Sequence, residues 1–372
     1  MDRIHRERIA RLQENMAAQG VDAFLAFTGD DYMYFIGEVR RQPRAIIPRQ
    51  GEPLLLVFAS EVEEARRNTG LTNIYPYRGL HEMMLNIIGH FKGLGVPRPR
   101  VAIRMEFYTP HFLIERFKMA NPNVELVNAG PLVSPLRQIK SADEVALIRE
   151  AARLADLGIA TACQVIRPGI TEREVAAEVE YVLNKNGADG LGFPMFVNSG
   201  ARSRWLHGGA TRKVIEPGDL IIVDIGPVYY GYHADICRTF SVGQPTAEAQ
   251  RLYGLYRRMQ EAALAAARPG VPLHQVEARV EAVLKDEGLQ DHYVRGFLHG
   301  VGLSFEETPF PTIFPEEVLH PLAAGMTLAV GHPILTLPDV GGVRVEDTIY
   351  LTDAGVEVLT AAPRDQIIVV GG

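Results

Sequence analysis

Two aspartates, Asp224 and Asp235, are the residues whose type and setting first point to chemistry. Asp224 interrupts the apolar run Leu220-Ile221-Ile222-Val223. Asp235 lies in the alternating stretch His233-Ala234-Asp235-Ile236-Cys237-Arg238-Thr239, and Tyr230-Gly231 supplies a turn between the two segments. The pattern predicts a β-hairpin. With a side-chain period of two, Ile222, Asp224 and Gly226 share one face and His233, Asp235, Cys237 and Thr239 share another, so both carboxylates can point into a common space. An ionised carboxylate among apolar neighbours is costly without a positive partner. A divalent cation held by hard oxygen ligands would meet that need and would serve hydrolysis. An arginine such as Arg238 or Arg344 would also meet it, and would make the arrangement purely structural. For two aspartates on a hairpin taken by themselves, the arginine pairing is the expectation.

The elements that must position these residues are duplicated. Residues 167–187 overlay residues 268–288 at an offset of 101, with ten identities in 21 positions, and residues 218–224 overlay residues 325–331. Such a repeat implies a duplicated α/β unit with its site on a pseudo-twofold axis. Gly331 then stands where the second copy should carry the counterpart of Asp224. His332 reaches that place only if a bulge at Gly331 shifts the strand by one residue. Register in a buried strand is well specified, so the regular register is expected, with His332 an ordinary structural histidine on the opposite face.

Around the repeat, Ser141-Ala142-Asp143-Glu144 caps a long helix ending at Arg167-Pro168-Gly169, and Thr171-Glu172-Arg173-Glu174 caps the next. Two more helices are predicted over 247–267 and 273–287. Helix pairs alternating with antiparallel strands make this part an α+β domain. Upstream, a helix over 3–18 stops at Gly20, strands are predicted over 23–27, 54–58, 101–104 and 124–127, and Ser60-Glu61-Val62-Glu63 reads as a capping box. That gives a small α/β domain. Pro131, Pro135 and the polar Arg137-Gln138-Ile139-Lys140 mark the boundary, with domains over 1–136 and 141–372.

Further motifs follow in order: Leu298-His299-Gly300-Val301-Gly302, Glu306-Glu307-Thr308-Pro309, Val330-Gly331-His332-Pro333 and Gly342-Val343-Arg344-Val345-Glu346-Asp347. Together with Asp224-Ile225-Gly226 and Asp235-Ile236-Cys237-Arg238-Thr239-Phe240, this ordered set resembles the pita-bread metallopeptidases, the group of prolidase, aminopeptidase P, methionine aminopeptidase and creatinase. The resemblance covers essentially the whole chain. It implies an α/β N-terminal domain, a pita-bread catalytic domain with an internal pseudo-twofold repeat, and a metal site of Asp224, Asp235, His299 and Glu346. It also implies Arg344 as the group that fixes a ligand carboxylate and His207 as the substrate-side histidine; in a peptidase built on this site, Glu307 or Glu306 would handle the proton.

Three positions depart from the pattern. Gly331 replaces the glutamate of a Val-Glu-Pro strand, Glu306 replaces a histidine seven residues after His299, and Arg295 replaces a histidine four residues before it. A missing ligand lowers metal affinity, and two missing imidazoles remove donors for a tetrahedral oxyanion. Glu306 is open to three roles: ligand, general base, or ion-pair partner of Arg295.

Composition is consistent with a two-domain enzyme. The 372 residues carry a formal charge of −7 and no polybasic run, so nucleic acid is not an expected partner. Two cysteines are too few for a disulfide framework and fit a reducing, cytoplasmic setting. No apolar run is long enough for a membrane span. Gly302-Leu303-Ser304-Phe305-Glu306 lacks the last glycine of a nucleophile elbow, and Gly300-Val301-Gly302 lacks the third glycine of a dinucleotide fingerprint. Trp205 and Tyr232 are expected in the core, with pocket lining as the alternative.

Three functions stay open. The first is a metallohydrolase like Xaa-Pro dipeptidase or aminopeptidase P, cleaving before proline with one or two Mn, Co or Zn ions and acting as a homodimer. The second is a creatinase-like or lyase-like enzyme on a small non-peptide substrate, with Arg295 binding a substrate carboxylate and the metal reduced to one or none by Gly331. The third is a catalytically silent binding module.

Overall fold

Short strands of four or five residues, separated by helices, build the first unit of the chain. The computed structural model describes residues 1–105 and 109–371, and its helices and strands are those of the described residues. The chain divides into two compact units, Met1–Arg137 and Gln138–Gly372. In the first, β1 (Ala23–Ala26), β2 (Ala45–Pro48), β3 (Leu54–Phe58), β4 (Ile74–Tyr77), β5 (Arg100–Ile103) and β6 (Glu125–Asn128) form one mixed sheet in the order β4-β3-β2-β1-β5-β6. The helices are α1 (Arg3–Gln19), α2 (Gly29–Ile36), α3 (Val62–Thr69), α4 (Leu80–Gly93) and α5 (His111–Ala120). Gly20 ends α1 in the left-handed conformation at φ 65°, which glycine adopts at no steric cost.

One local expectation fails. Ser60 does not cap α3: residues 59–61 form a 3-10 turn, so Ser60 lies inside a helical turn and the N-cap is Glu61, without a side-chain bond. The proline-bearing boundary segment is a helix, α6 (Gly130–Gln138), with Pro135 inside it. Pro131 is tolerated because first-turn N–H groups have no helical partner anyway.

In the second unit, α7 (Ala142–Val165) and α8 (Glu172–Lys185) both begin with complete capping boxes, from Ser141 and Thr171 respectively. They are followed by β7 (Gly190–Leu191), β8 (Phe196–Ser199), β9 (Leu220–Ile225), β10 (Pro227–Tyr229), β11 (Tyr232–His233) and β12 (Ile236–Val242). The second half repeats the plan with α9 (Ala247–Ala266), α10 (Leu273–Asp286), β13 (Leu298–Gly300), β14 (Thr327–Val330), β15 (Leu335–Leu337), β16 (Gly341–Val343), β17 (Asp347–Thr352), β18 (Gly355–Val358) and β19 (Ile368–Val370). The repeat is visible in the geometry: α8 and α10 are each 14 residues long and start 101 residues apart. Antiparallel β8-β9-β12 in one sheet matches antiparallel β13-β14-β17 in the other.

Each sheet buries one face against its own helix pair. Ile221, Val223 and Ile225 of β9 join the core under α7 and α8, and Leu328 and Val330 of β14 join the core under α9 and α10. Alternation then turns Ile222 and Asp224 to the other side of β9. A bridge between Cys237 and Glu346 joins the two sheets where those faces meet.

Candidate active site

Asp224 lies on β9, directly opposite Cys237 of β12, and is buried. The hairpin differs from the simple expectation. Tyr230 (φ 45°) and Gly231 (φ 77°) do form a turn, but it closes the small β10–β11 pair, and Asp235 sits in the irregular step between β11 and β12. Its backbone N–H donates to Thr348 Oγ1 at 2.8 Å, which holds the carboxylate toward the sheet junction. His233, expected on the same face, instead donates its backbone N–H to the Gly302 carbonyl at 2.7 Å. His299 comes from β13 and Glu346 from the residue preceding β17.

These four side chains converge. His299 Nε2 lies 3.7 Å from Asp235 Oδ2 and 3.6 Å from Glu346 Oε1, beyond hydrogen-bond reach of either. Among the described residues, Asp224 Oδ1, Asp235 Oδ1, His299 Nε2 and Glu346 Oε1 are buried side-chain atoms with no hydrogen-bond partner. Buried polar atoms are nearly always satisfied, so four orphaned acceptor-type atoms on one cluster fit a cation ligand set.

Arg344 supplies the fixed positive charge. Its Nη1 donates to Asp224 Oδ2 at 2.6 Å, its Nη2 donates to Glu346 Oε2, and its Nε donates to the Gly331 carbonyl at 3.3 Å. The arginine and cation readings are thus compatible, because Arg344 occupies one oxygen of each carboxylate and leaves the other free. Arg238 works from behind, donating from Nη1 to the Glu346 carbonyl at 2.7 Å and from Nη2 to Asp347 Oδ1 at 2.6 Å.

Burial and charge set the protonation. Burial raises Asp224 to about 7 and Asp235 well above the usual carboxylate range, with the Glu346 charge adding to both. Glu346 is held well below it: burial pushes its carboxyl up, but the Arg344 charge and the neighbouring imidazoles outweigh that. Burial pushes His332 down to about 4, so its ring is neutral. Glu306 is raised by burial.

His332 is the main correction to the sequence reading. It does not turn to the opposite face. Backbone N–H groups of both Gly331 and His332 approach the single Phe297 carbonyl, at 2.9 and 3.4 Å, which is a β-bulge. Gly331 has φ 115°, and a Cβ there would lie 1.9 Å from the Val345 carbonyl oxygen, so only glycine fits. The bulge carries His332 into the cluster, with Nδ1 3.7 Å from Glu346 Oε1 and Nε2 3.8 Å from Glu306 Oε1. Two residues of α9 hold it there. The Tyr256 hydroxyl reaches the Gly331 and Pro333 carbonyls at 2.6 and 2.5 Å, and Gln260 Nε2 donates to the Val345 carbonyl at 3.0 Å. No signal in the sequence singles out Tyr256 or Gln260, which lie on an ordinary amphipathic helix.

The remaining residues divide. His207 stands at the solvent-facing edge of the cluster, its partly covered ring 6.0 Å from the His332 ring. Arg295 is not brought in: it is an exposed side chain paired with Glu281 at 2.5 Å, an acid of the neighbouring helix α10, so it partners neither Glu306 nor the cluster. Glu307 is committed to Lys140, Nζ to Oε1 at 2.7 Å, and an acid held by a buried ammonium is poorly placed to take a proton. Tyr232 is buried, with its hydroxyl donating to Glu144 Oε1 at 2.9 Å, whereas Trp205 is 55% exposed beneath Arg202.

Comparison with known proteins gives a consistent picture. Residues 146–353 match metallopeptidase family M24, and residues 8–139 match the creatinase/prolidase N-terminal domain. The chain is 31% identical over 360 residues to the Xaa-Pro dipeptidase of Pyrococcus furiosus, covering 97% of this chain and 99% of that one. It is 30% identical over 364 residues to the Xaa-Pro dipeptidase of Pyrococcus horikoshii, covering 98% and 99%. Among solved structures, the Xaa-Pro dipeptidase from Bacillus anthracis superposes with a TM-score of 0.88 at 28% identity, covering 98% of this chain and 100% of that one.

Proposed function

Since the chain belongs to metallopeptidase family M24, we propose that it is a metal-dependent peptidase that cleaves Xaa-Pro dipeptides at the bond before proline. The observation that carries this reading is the convergence of orphaned buried atoms on Asp224, Asp235, His299 and Glu346. These residues would hold one or two divalent ions of the Mn, Co or Zn kind. A bound ion supplies the Lewis acid that activates water and polarises the scissile carbonyl.

The chain's own groups do the rest. Arg344 keeps Glu346 ionised and orients both Asp224 and Glu346. Glu306, half-buried at the edge of the cluster and raised by burial, holds the proton taken from water and returns it to the leaving imino nitrogen of proline. His207, kept neutral because burial and the Arg344 charge lower it, faces the substrate. The chain acts as a homodimer in the cytoplasm, a setting that the unpaired Cys163 and Cys237 support. Among the described residues, no helix is long and apolar enough to cross a membrane.

The creatinase-like alternative relied on Arg295 as a carboxylate anchor, and its pairing with Glu281 removes that support. A silent binding module would have no use for four unsatisfied buried ligand atoms.

The test is hydrolysis of Ala-Pro, Met-Pro and Leu-Pro by chelator-treated protein resupplied with Mn2+, Co2+ or Zn2+, beside dipeptides without proline and tripeptides with proline second. Turnover of the Xaa-Pro dipeptides that requires added metal is expected. No turnover with any of the three ions would sink the reading, and light scattering that gives only monomer would sink the dimer.

A further inference from the structure

Two of the departures from the family pattern, at 331 and 306, fall on the same side chain. We infer that His332 supplies a nitrogen ligand through Nδ1, in the place left by the missing carboxylate at 331, and that Glu306, besides its proton role, orients its ring. This rests on the metal dependence of the proposed peptidase, and it goes beyond that reading by changing the ligand set from oxygen-dominated to one with two imidazoles.

The register shows why His332 arrives there. β14 and β17 pair Val330 with Asp347, so continuing that ladder would set Gly331 against Glu346. The bulge at Gly331 advances the strand by one residue, and it is His332 that faces Glu346.

The ring has a defined tautomer. Arg344 Nη2 lies 3.2 Å from His332 Nδ1, and a guanidinium only donates, so Nδ1 carries a lone pair and the proton is on Nε2. Nε2 stands 3.8 Å from Glu306 Oε1, longer than a hydrogen bond, so the carboxylate must approach by about 0.8 Å to hold the ring. A carboxylate beyond the distal nitrogen of a ligating histidine fixes the ring and raises its basicity. An ion that takes up the Nδ1 lone pair replaces one hydrogen bond from Arg344, which keeps its bonds to Asp224 and Glu346.

The separations suit ions shared between neighbouring groups: Asp235, His299 and Glu346 offer atoms within 4.8 Å of one another, and so do His299, Glu306 and His332. His299 Nε2 to Asp235 Oδ2, His299 Nε2 to Glu346 Oε1, and His332 Nδ1 to Glu346 Oε1 measure 3.7, 3.6 and 3.7 Å. Around a tetrahedral ion with bonds of about 2.1 Å, ligand atoms stand about 3.4 Å apart. Each of these three pairs lies within a few tenths of an ångström of that spacing. A second imidazole nitrogen among the carboxylate oxygens favours Zn2+ and Co2+, whereas an all-oxygen set suits Mn2+ and Mg2+.

The experiment titrates the chelator-treated full-length protein with Co2+, reading bound metal by equilibrium dialysis and ligand type by the visible d–d absorption, with Zn2+ and Mn2+ as competitors. Wild-type protein is expected to bind Co2+ and Zn2+ at least about tenfold more tightly than Mn2+. His332→Ala should weaken one ion by about 10- to 100-fold and change the absorption band, and Glu306→Gln should weaken the same ion about tenfold. His332→Glu should retain an ion and move the preference toward Mn2+; together with Glu306→Gln it carries the test if the alanine variant does not fold.

Unchanged affinity and spectrum in His332→Ala would overturn the inference while leaving the peptidase reading intact. A His332-dependent cobalt band in a protein that hydrolyses no Xaa-Pro dipeptide would overturn the peptidase reading and leave this one standing. A wild-type protein that binds no divalent ion would overturn both.

Discussion

His332 Nδ1 stands 3.7 Å from Glu346 Oε1, although the ladder of their two strands would have paired Glu346 with Gly331. One inserted residue, allowed only because Gly331 adopts φ 115°, moves an imidazole into the position where the repeat calls for a carboxylate.

Gly331→Ala should therefore be among the most damaging small substitutions in the chain. The new Cβ meets the Val345 carbonyl oxygen at 1.9 Å in a backbone conformation that L-residues rarely adopt. A loss of about 2–4 kcal/mol is expected from equilibrium urea unfolding. A loss below about 0.5 kcal/mol would show that the bulge does not persist in solution. A carboxylate cannot be restored at 331 for the same reason; position 332 is where it fits.

Arg344→Met removes the only guanidinium between Asp224 and Glu346 among the described contacts and leaves two buried carboxylates close together. Breaking a buried pair costs about 3–5 kcal/mol. Because a divalent ion replaces the lost countercharge, saturating Zn2+ should raise the melting temperature of this variant more than that of wild type; ion at about 100 times Kd alone contributes about 2.7 kcal/mol. Equal shifts in the two proteins would contradict the placement of Arg344 beside the ion.

Asp235→Asn keeps the size of the side chain but removes a ligand charge. Bound metal should fall by at least one equivalent per chain, and Xaa-Pro hydrolysis should drop about 10³-fold, which corresponds to about 4 kcal/mol of transition-state stabilisation. Metal analysis and initial rates on one preparation decide it. Full metal content with wild-type rates would remove Asp235 from the site.

Metal affinity should rise with pH through neutrality. Burial raises Asp224 to about 7, so in the metal-free protein it is substantially protonated below neutral pH, and burial raises Asp235 well above the usual carboxylate range too. An ion binds the ionised forms and displaces those protons, so affinity is weakest at low pH, climbs through pH 6–8 and levels off above. Calorimetric titration at pH 6, 7 and 8 in two buffers should show proton release on binding, and a flat profile without it would refute the assignment of protonation states.

The helices were legible because their signals are local. Ser141 and Thr171 are each followed three residues later by a glutamate, and both capping boxes form. The duplication was legible because a repeat leaves identities at a fixed offset, and α8 and α10 start at that offset. Ser60 carried the same cap signal and failed, because the chain had already entered a 3-10 turn at Ala59.

The sequence by itself determined the two-part α/β and α+β plan, the repeat, and Asp224, Asp235, His299 and Glu346 as ligand-type residues, since strand alternation and motif order are properties of the chain alone. Tertiary structure decided the rest. That Arg344 binds one oxygen of each carboxylate and spares the other, that Arg295 answers to Glu281 and Glu307 to Lys140, and that His332 turns inward are outcomes of contacts between residues far apart in sequence. A strand's register is fixed by the carbonyl it meets and by what packs behind it. At Gly331 those are Phe297, Tyr256 and Gln260, none of which the local pattern around residue 331 can specify.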